Sequence, residues 1–252
     1  MPAKSSSQSQ ADNARDEEVA ADSYIDRDAG IKYWSDRPAT QATMLGELGQ
    51  FSWYTRIDLQ GSRNFLAKVR RLLPDMASSE NGKLPRGVDC GAGVGRVTEG
   101  FVSKVCGKVD IVEPVEKFAK VVEEGELKQS GIVEDVYIMG LEAWQPQKKY
   151  DLIWVQWCVG HLTDAELSQF LLRAKESLSE TGIICFKENN TTMDGEDIYD
   201  EEDSSVTRCD SKFRSLFEEA GLKLVLSEIQ TGFPKSFNLL PVRSYALRPI
   251  AA

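Results

Sequence analysis

Three groups of residues in this 252-residue chain have the types and spacing to do chemistry. The first is Asp89-Cys90-Gly91-Ala92-Gly93-Val94-Gly95-Arg96. Three glycines at alternate positions let a backbone turn tightly and let a ligand come close to it. The helix expected next would point unpaired N–H groups back at that turn. The second is Trp157-Cys158-Val159-Gly160-His161, which holds the chain's one histidine. Imidazole is the side chain best placed to accept a proton near neutral pH. The third is an acidic loop, Asp194, Glu196, Asp197, Asp200, Glu201, Glu202 and Asp203, just after Lys187-Glu188-Asn189-Asn190. Such a charge run is either a solvated face or a lure for a cationic substrate.

These groups need a scaffold, and the alternation of patterns supplies one. Strands are expected at 86–90, 108–112, 133–139, 150–156 and 182–187, and two more at 223–230 and 242–247. Helices are expected at 95–104, 115–124, 164–178 (capped by Thr163) and 205–220 (closed by Gly221). This is an α/β fold, a seven-stranded, mostly parallel sheet with helices on both faces. In such a sheet ligands lie outside the strand C-termini, where all three groups fall. Ahead of it, residues 1–22 lack apolar period and read as a disordered tail. Helical runs at 25–34, 40–48 and 58–73 form an N-terminal extension over 23–76, leaving 84–252 as the main domain. In that extension Trp34 and Leu45 belong either to the core or to a lid over the site.

Bulk numbers narrow the class. The 30 basic and 40 acidic residues give a net charge of −10, which argues against a nucleic-acid backbone as partner and for basic ones. Five cysteines without a CxxC pair point to neither a metal nor a disulfide framework. No run is apolar enough for a membrane span, so a soluble, intracellular protein is expected. A monomer in the cytoplasm, with the nucleus as a second compartment, is a separate expectation.

The glycine turn selects among nucleotides. Its spacing is G-x-G-x-G rather than G-x-G-x-x-G, and Asp89 precedes it. A carboxylate there would repel a pyrophosphate and suit a cation. S-adenosylmethionine has no phosphate and carries a sulfonium and an ammonium, and the stretch resembles the first motif of class I S-adenosylmethionine-dependent methyltransferases. In that setting Glu113, ending the second strand some 20 residues on, would hold ribose hydroxyls, with Pro114 and Val115 beside it. Arg96 would grip the methionine carboxylate or make a surface pair. Leu141 and Glu142 would meet the adenine or form a plain strand exit. Gln156 would face the methionine moiety or be a satisfied buried amide. Trp157 and His161 have bland alternatives as well, core packing and a hydrogen-bonded structural imidazole.

Taken in order, DCGAGVGRVT, WVQWCVGHLTD, KEN and DEEDSSV resemble the protein N-terminal α-amino methyltransferases over nearly the whole folded chain. The resemblance implies methyl transfer to the free α-amine of proteins beginning Xaa-Pro-Lys or Xaa-Pro-Arg, ribosomal and chromatin-type proteins among them. It implies cofactor contacts from Gly91, Gly93, Arg96, Glu113, Leu141, Glu142 and Gln156. It implies that Trp157 packs on the second-position proline, Asn189 binds the substrate backbone, Asp200 and Asp203 hold the third-position cation, and His161 and Asp203 are the candidate bases. Trp34 and Leu45 would complete the substrate side. Glu113 and Glu188 stand where the family commonly has Asp, and Leu240 where animal members have Tyr. Rival readings are a class I methyltransferase acting on lysine or a small amine, and a non-catalytic module that docks basic tails.

The chemistry favours a terminal amine. An α-amino group with a pKa of about 8 is roughly a tenth neutral at pH 7, whereas a lysine at about 10.4 is neutral only about 0.04% of the time. The site then needs only to accept one proton and align the amine with the methyl.

Overall fold

In the computed structural model, residues 19–193 and 195–250 are described. Most of the expected tail, and Asp194 of the acidic loop, lie outside them. Among those residues the chain opens with a 3₁₀ turn, Ala21–Tyr24, which straddles the end of the stretch expected to be tail. Helix α1, Arg27–Asp36, follows, capped by the Asp26 carboxylate on the Ala29 N–H. A 3₁₀ segment, Thr43–Gln50, leads into α2, Ser52–Leu72, whose buried positions recur at helical spacing (Leu59, Ser62, Phe65, Leu66, Val69).

The sheet comes next. Its strands are β1 (Leu84–Cys90), β2 (Cys106–Val112), β3 (Val133–Tyr137), β4 (Tyr150–Gln156) and β5 (Leu178–Asn189). A short outlying hairpin pairs β6 (Ile198–Asp200) with β7 (Ser205–Thr207), and the main sheet closes with β8 (Leu222–Ile229) and β9 (Val242–Pro249). The order β3-β2-β1-β4-β5-β9-β8 is parallel except for β9, which runs antiparallel to both neighbours. The expected seven-stranded, mostly parallel α/β sheet is what forms. Every residue of β4 is buried, as a central parallel strand requires. Its alternate side chains feed two cores. Ile153 and Val155 join Phe170, Phe213 and Phe217 on one face. Leu152 and Trp154 join Phe65, Leu66 and Phe101 on the other.

Helices α4 (Glu116–Glu123), α5 (Glu126–Gln129), α6 (Asp164–Glu176) and α7 (Asp210–Glu219) cover the faces. At α6 the Thr163 hydroxyl accepts from the Glu166 N–H and Glu166 returns the bond, a full capping box. The helix expected at 95–104 forms over 96–105, with a π-type stretch, Thr98–Val102, before its last turn, α3, Ser103–Val105. One expectation is corrected. The helix expected from 205 starts at Asp210, because Ser205–Thr207 is claimed by pairing with Ile198–Asp200. A run with two hydroxyls around one valine fits an exposed ribbon as well as a helix start, and the hairpin decides it.

Candidate active site

One cleft opens at the C-terminal ends of β1, β2 and β4, under α1 and the Thr43–Gln50 segment. All nine expected cofactor residues, Gly91, Gly93, Arg96, Glu113, Pro114, Val115, Leu141, Glu142 and Gln156, line it, together with Trp34, Trp157 and His161. Met44 lines it too, whereas the neighbouring Leu45 is half-buried off its wall.

The glycine turn is built around close approach. The N–H groups of Gly91 and Ala92 both donate to the Val112 carbonyl, which ties the turn to β2. Gly91 has φ 69°, and a Cβ there would lie 2.3 Å from the Cβ of Cys158. At Gly93, φ is 56° and a Cβ would meet the Met44 sulfur at 2.6 Å. Only glycine satisfies both demands at both positions. Asp89 lies beneath the turn rather than in it. It accepts from the Thr98 hydroxyl at 2.6 Å, and burial pushes its carboxyl up to about 7.

Glu113 is buried and shapes the cradle. One oxygen accepts from the Gly93 N–H and the other from the Val115 N–H, each at 2.8 Å. Burial raises its carboxyl to about 7. Each carboxylate oxygen keeps a second lone pair, so hydroxyl donors could still be received. Leu141 gives the cleft an apolar wall, and Arg173 on α6 holds the loop behind it by donating to the carbonyls of Leu141, Glu142 and Trp144. Arg96 is buried and donates to Asp58 of α2 at 2.7 Å, with its guanidinium carbon 5.5 Å from the centre of the Trp157 ring. A hydroxyl acceptor, an apolar slot, a glycine cradle and a cation with unspent donors suit an adenosine bearing an amino-acid tail.

Beyond the cradle, Trp157 takes φ 53°, a left-handed conformation that an L residue holds at a cost of about 1–3 kcal/mol. Its ring packs on Tyr54, which stacks on Phe233. Glu188 pins this turn, its carboxylate accepting from the N–H groups of Cys158 and Val159 at 3.0 and 3.4 Å. Burial pushes Glu188 up to about 7. The following 3₁₀ turn, Val159–His161, is clamped from behind by the fully buried Arg208, which donates to the carbonyls of Val159 and Leu162 and to Asp164.

His161 therefore stands on a braced turn. Its Nε2 accepts from the Trp34 indole N–H at 3.1 Å and lies 4.0 Å from an Asp203 oxygen. Burial lowers its pKa, and the nearby Asp203 carboxylate only partly offsets this. The other Asp203 oxygen and the Trp157 indole nitrogen are buried without a hydrogen-bond partner. A buried polar atom left unpaired costs stability unless a ligand completes it.

The acidic loop divides on folding. Asp197 turns inward to accept from the Cys209 N–H, and Glu202 pairs with Arg37 at 3.0 Å. Glu196, Asp200 and Glu201 remain exposed, and Asp200 accepts from the Glu202 N–H. Asn189 ends β5 half-buried, opposite Val242. None of Asp200, Asp203 and Asn189 lines the cleft itself, although Asp203 comes within 4.0 Å of His161, which does. The loop is fastened to α1, since the Asp26 N–H donates to the Ser204 hydroxyl at 2.7 Å. Glu188, Arg208, Arg173 and Asp58 were not singled out for these roles by sequence reasoning. The one available sign was a charged residue closing an apolar strand, as at Lys187-Glu188.

Among the described residues no group of three or more His, Cys, Asp and Glu side chains is placed to hold a metal ion, and no helix is long and apolar enough to cross a membrane.

Comparison with known proteins agrees with this geometry. The family model for AdoMet-dependent proline di-methyltransferases matches residues 22–248. The chain is 42% identical over 223 residues to alpha N-terminal protein methyltransferase 1 of Schizosaccharomyces pombe, covering 87% of this chain and 94% of that one. It is 38% identical over 218 residues to N-terminal Xaa-Pro-Lys N-methyltransferase 1 of Xenopus tropicalis, covering 86% and 92%. A solved SAM-dependent methyltransferase from Leishmania major superposes with a TM-score of 0.76 at 32% identity, covering 88% of this chain and 82% of that one. The chain belongs to the family of AdoMet-dependent proline di-methyltransferases.

Proposed function

We propose that this enzyme methylates the free α-amine of polypeptides beginning Xaa-Pro-Lys or Xaa-Pro-Arg, with S-adenosylmethionine as donor. The observation that carries the reading is the His161–Asp203 pair at the rim of the cleft, in which one Asp203 oxygen is buried and unpartnered, together with the unpartnered Trp157 indole that a strained turn holds on the cleft wall. The cofactor supplies an electrophilic methyl on a sulfonium. Gly91, Gly93, Glu113, Leu141 and Gln156 would bind its adenosine and tail, and Arg96 its carboxylate.

The chain's own residues do the rest. The Trp157 face offers a flat apolar seat for a second-position proline. Asp203 and Asp200 present carboxylates to a third-position cation, and Asn189 offers a side-chain amide to the substrate backbone. His161, kept neutral by burial, accepts one proton as the amine's lone pair is turned toward the methyl. Asp203 stabilises the positive charge that develops on nitrogen. The names of the relatives support the terminal specificity. The family resemblance extends the reading to ribosomal and chromatin-type substrates and to a monomer working in cytoplasm and nucleus.

The test is mass spectrometry of a Ser-Pro-Lys peptide and its N-acetylated twin after incubation with enzyme and S-adenosylmethionine. One to three methyl groups on the free peptide and none on the blocked one are expected. Equal methylation of both would move the reaction to the lysine side chain and overturn the proposal.

A further inference from the structure

Behind the cleft lies a buried polar cluster with more positive charge than negative. Asp58 on α2 is fully buried and receives Arg96 at 2.7 Å, Gln156 Nε2 at 3.0 and 3.1 Å, and the Lys187 ammonium. Lys187, also fully buried, closes the apolar run of β5 opposite Gln156 in the strand register. Its ammonium donates to the Asp58 carboxylate, to the Asp58 carbonyl at 2.8 Å and to the Ser62 hydroxyl at 3.0 Å. Three N–H groups meet three acceptors, so Lys187 is saturated as a cation. The Gln156 carbonyl takes the Trp154 indole N–H at 3.1 Å, which fixes the orientation of its amide.

Arg96 is the exception. A guanidinium has five N–H donors, and this one makes a single hydrogen bond, to Asp58. Arg96 and Lys187 share one carboxylate, and although burial lowers the pKa of Lys187, the Asp58 carboxylate beside it works to keep the ammonium charged. The surplus charge and the unspent donors both emerge at Arg96, which lines the cleft. Asp89 is the next carboxyl toward the turn. Burial pushes it up to about 7, so near neutral pH it offsets the surplus only in part. Burial alone would raise Asp58, but Lys187 and Arg96 together hold it below the usual carboxylate range.

We propose that Lys187 is a positioning residue for cofactor recognition. By gripping Asp58 it aims Arg96 and maintains a buried positive surplus that selects a cofactor bearing a carboxylate. This rests on Arg96 as the carboxylate grip. Lys187 touches neither cofactor nor substrate and acts through Asp58.

The experiment is calorimetric titration of wild type, Lys187→Met and Lys187→Arg with S-adenosylmethionine and with its decarboxylated analogue, beside thermal unfolding of each. Wild type should prefer the carboxylate-bearing cofactor. Lys187→Met should lose about 10- to 100-fold of its affinity for that cofactor, the range outer-shell partners command at metal sites. It should bind the analogue as before, so that the preference collapses, and Lys187→Arg should restore most of it. A Lys187→Met protein that melts earlier but keeps the full preference would make the residue merely structural and overturn the proposal. Should that variant not fold, Lys187→Gln takes its place, with the same collapse expected and an intact preference again overturning. A wild type indifferent to the carboxylate would instead remove the premise about Arg96, a separate failure.

Discussion

The Trp34 indole N–H donates to Nε2 of His161 across 3.1 Å, so the lone pair that would accept the substrate's proton is already engaged by the helix covering the site. An N–H aimed at that lone pair favours neutral imidazole, in the same direction as burial. Trp34→Phe should therefore raise the pKa of His161. Because the chain has one histidine, its ring C–H resonances can be followed through a pH titration without assignment. An unchanged midpoint would show that the contact carries no electrostatic weight.

Gly30 brings the backbone of α1 close to the reacting groups. A Cβ there would sit 3.1 Å from the Asp203 carbonyl and 3.2 Å from His161 Nδ1. Gly30→Ala should improve the helix by up to about 1 kcal/mol, yet push the pair out of line. Melting temperature should hold or rise while kcat for a Ser-Pro-Lys peptide falls several-fold and cofactor affinity stays the same. Full activity in a stabilised protein would show that the contact yields freely.

Three buried carboxyls, Asp89, Glu113 and Glu188, are each raised to about 7, above their ordinary values. Groups raised on folding favour the folded, cofactor-free chain most below the usual carboxylate range, and that contribution is lost as pH climbs through about 7. Cofactor affinity should run the other way. Ionised Glu113 is the better acceptor for hydroxyls, so affinity should tighten from pH 6 to 8. Glu113→Gln should weaken binding about 10-fold or more and flatten the profile. Calorimetry across that range checks both parts.

Arg208 holds the histidine turn from a position with no solvent exposure. Arg208→Met leaves the Leu162 carbonyl without its donor, the Val159 carbonyl with only the Leu162 N–H, and Asp164 without one of its two cations. Denaturant unfolding should show a loss of about 3 kcal/mol or more. A loss under about 1 kcal/mol would mean that the capping box and Glu188 suffice.

Asp203 is expected to serve the substrate's third residue as well as the amine. Asp203→Asn should lower kcat/KM both for a peptide with lysine at its third position and for its norleucine counterpart. The preference for lysine over norleucine should itself shrink about 10-fold. A preserved ratio would assign the third-position cation to Asp200 and the exposed acids instead.

Much of this was legible in the sequence because it depends on local pattern. Strand β4 begins and ends where expected, at 150 and 156 around the apolar run 152–155, Thr163 caps the helix it precedes, and the glycines mark the cofactor turn. What stayed hidden acts across distance in the chain. Asp58 meets Gln156 from 98 residues away and Lys187 from 129, and no periodicity records such a meeting. Glu188, Arg173 and Arg208 work on backbone carbonyls and amides of other loops, where the partner has no side-chain identity to read. The Ser205–Thr207 strand was missed because its conformation is settled by a neighbour, Ile198–Asp200, rather than by its own composition.

The backbone at Trp157 ties two properties together. A glycine would relax at φ 53° without effort, whereas an indole must be held there by the Glu188 carboxylate on the next two amides. Narrowness of substrate choice and conformational ease are thus opposed at a single residue. Any replacement that loosens selection for the second substrate position also changes how hard this bend must be restrained, so variants chosen only for relaxed specificity should drift toward glycine there, gaining robustness as they lose discernment.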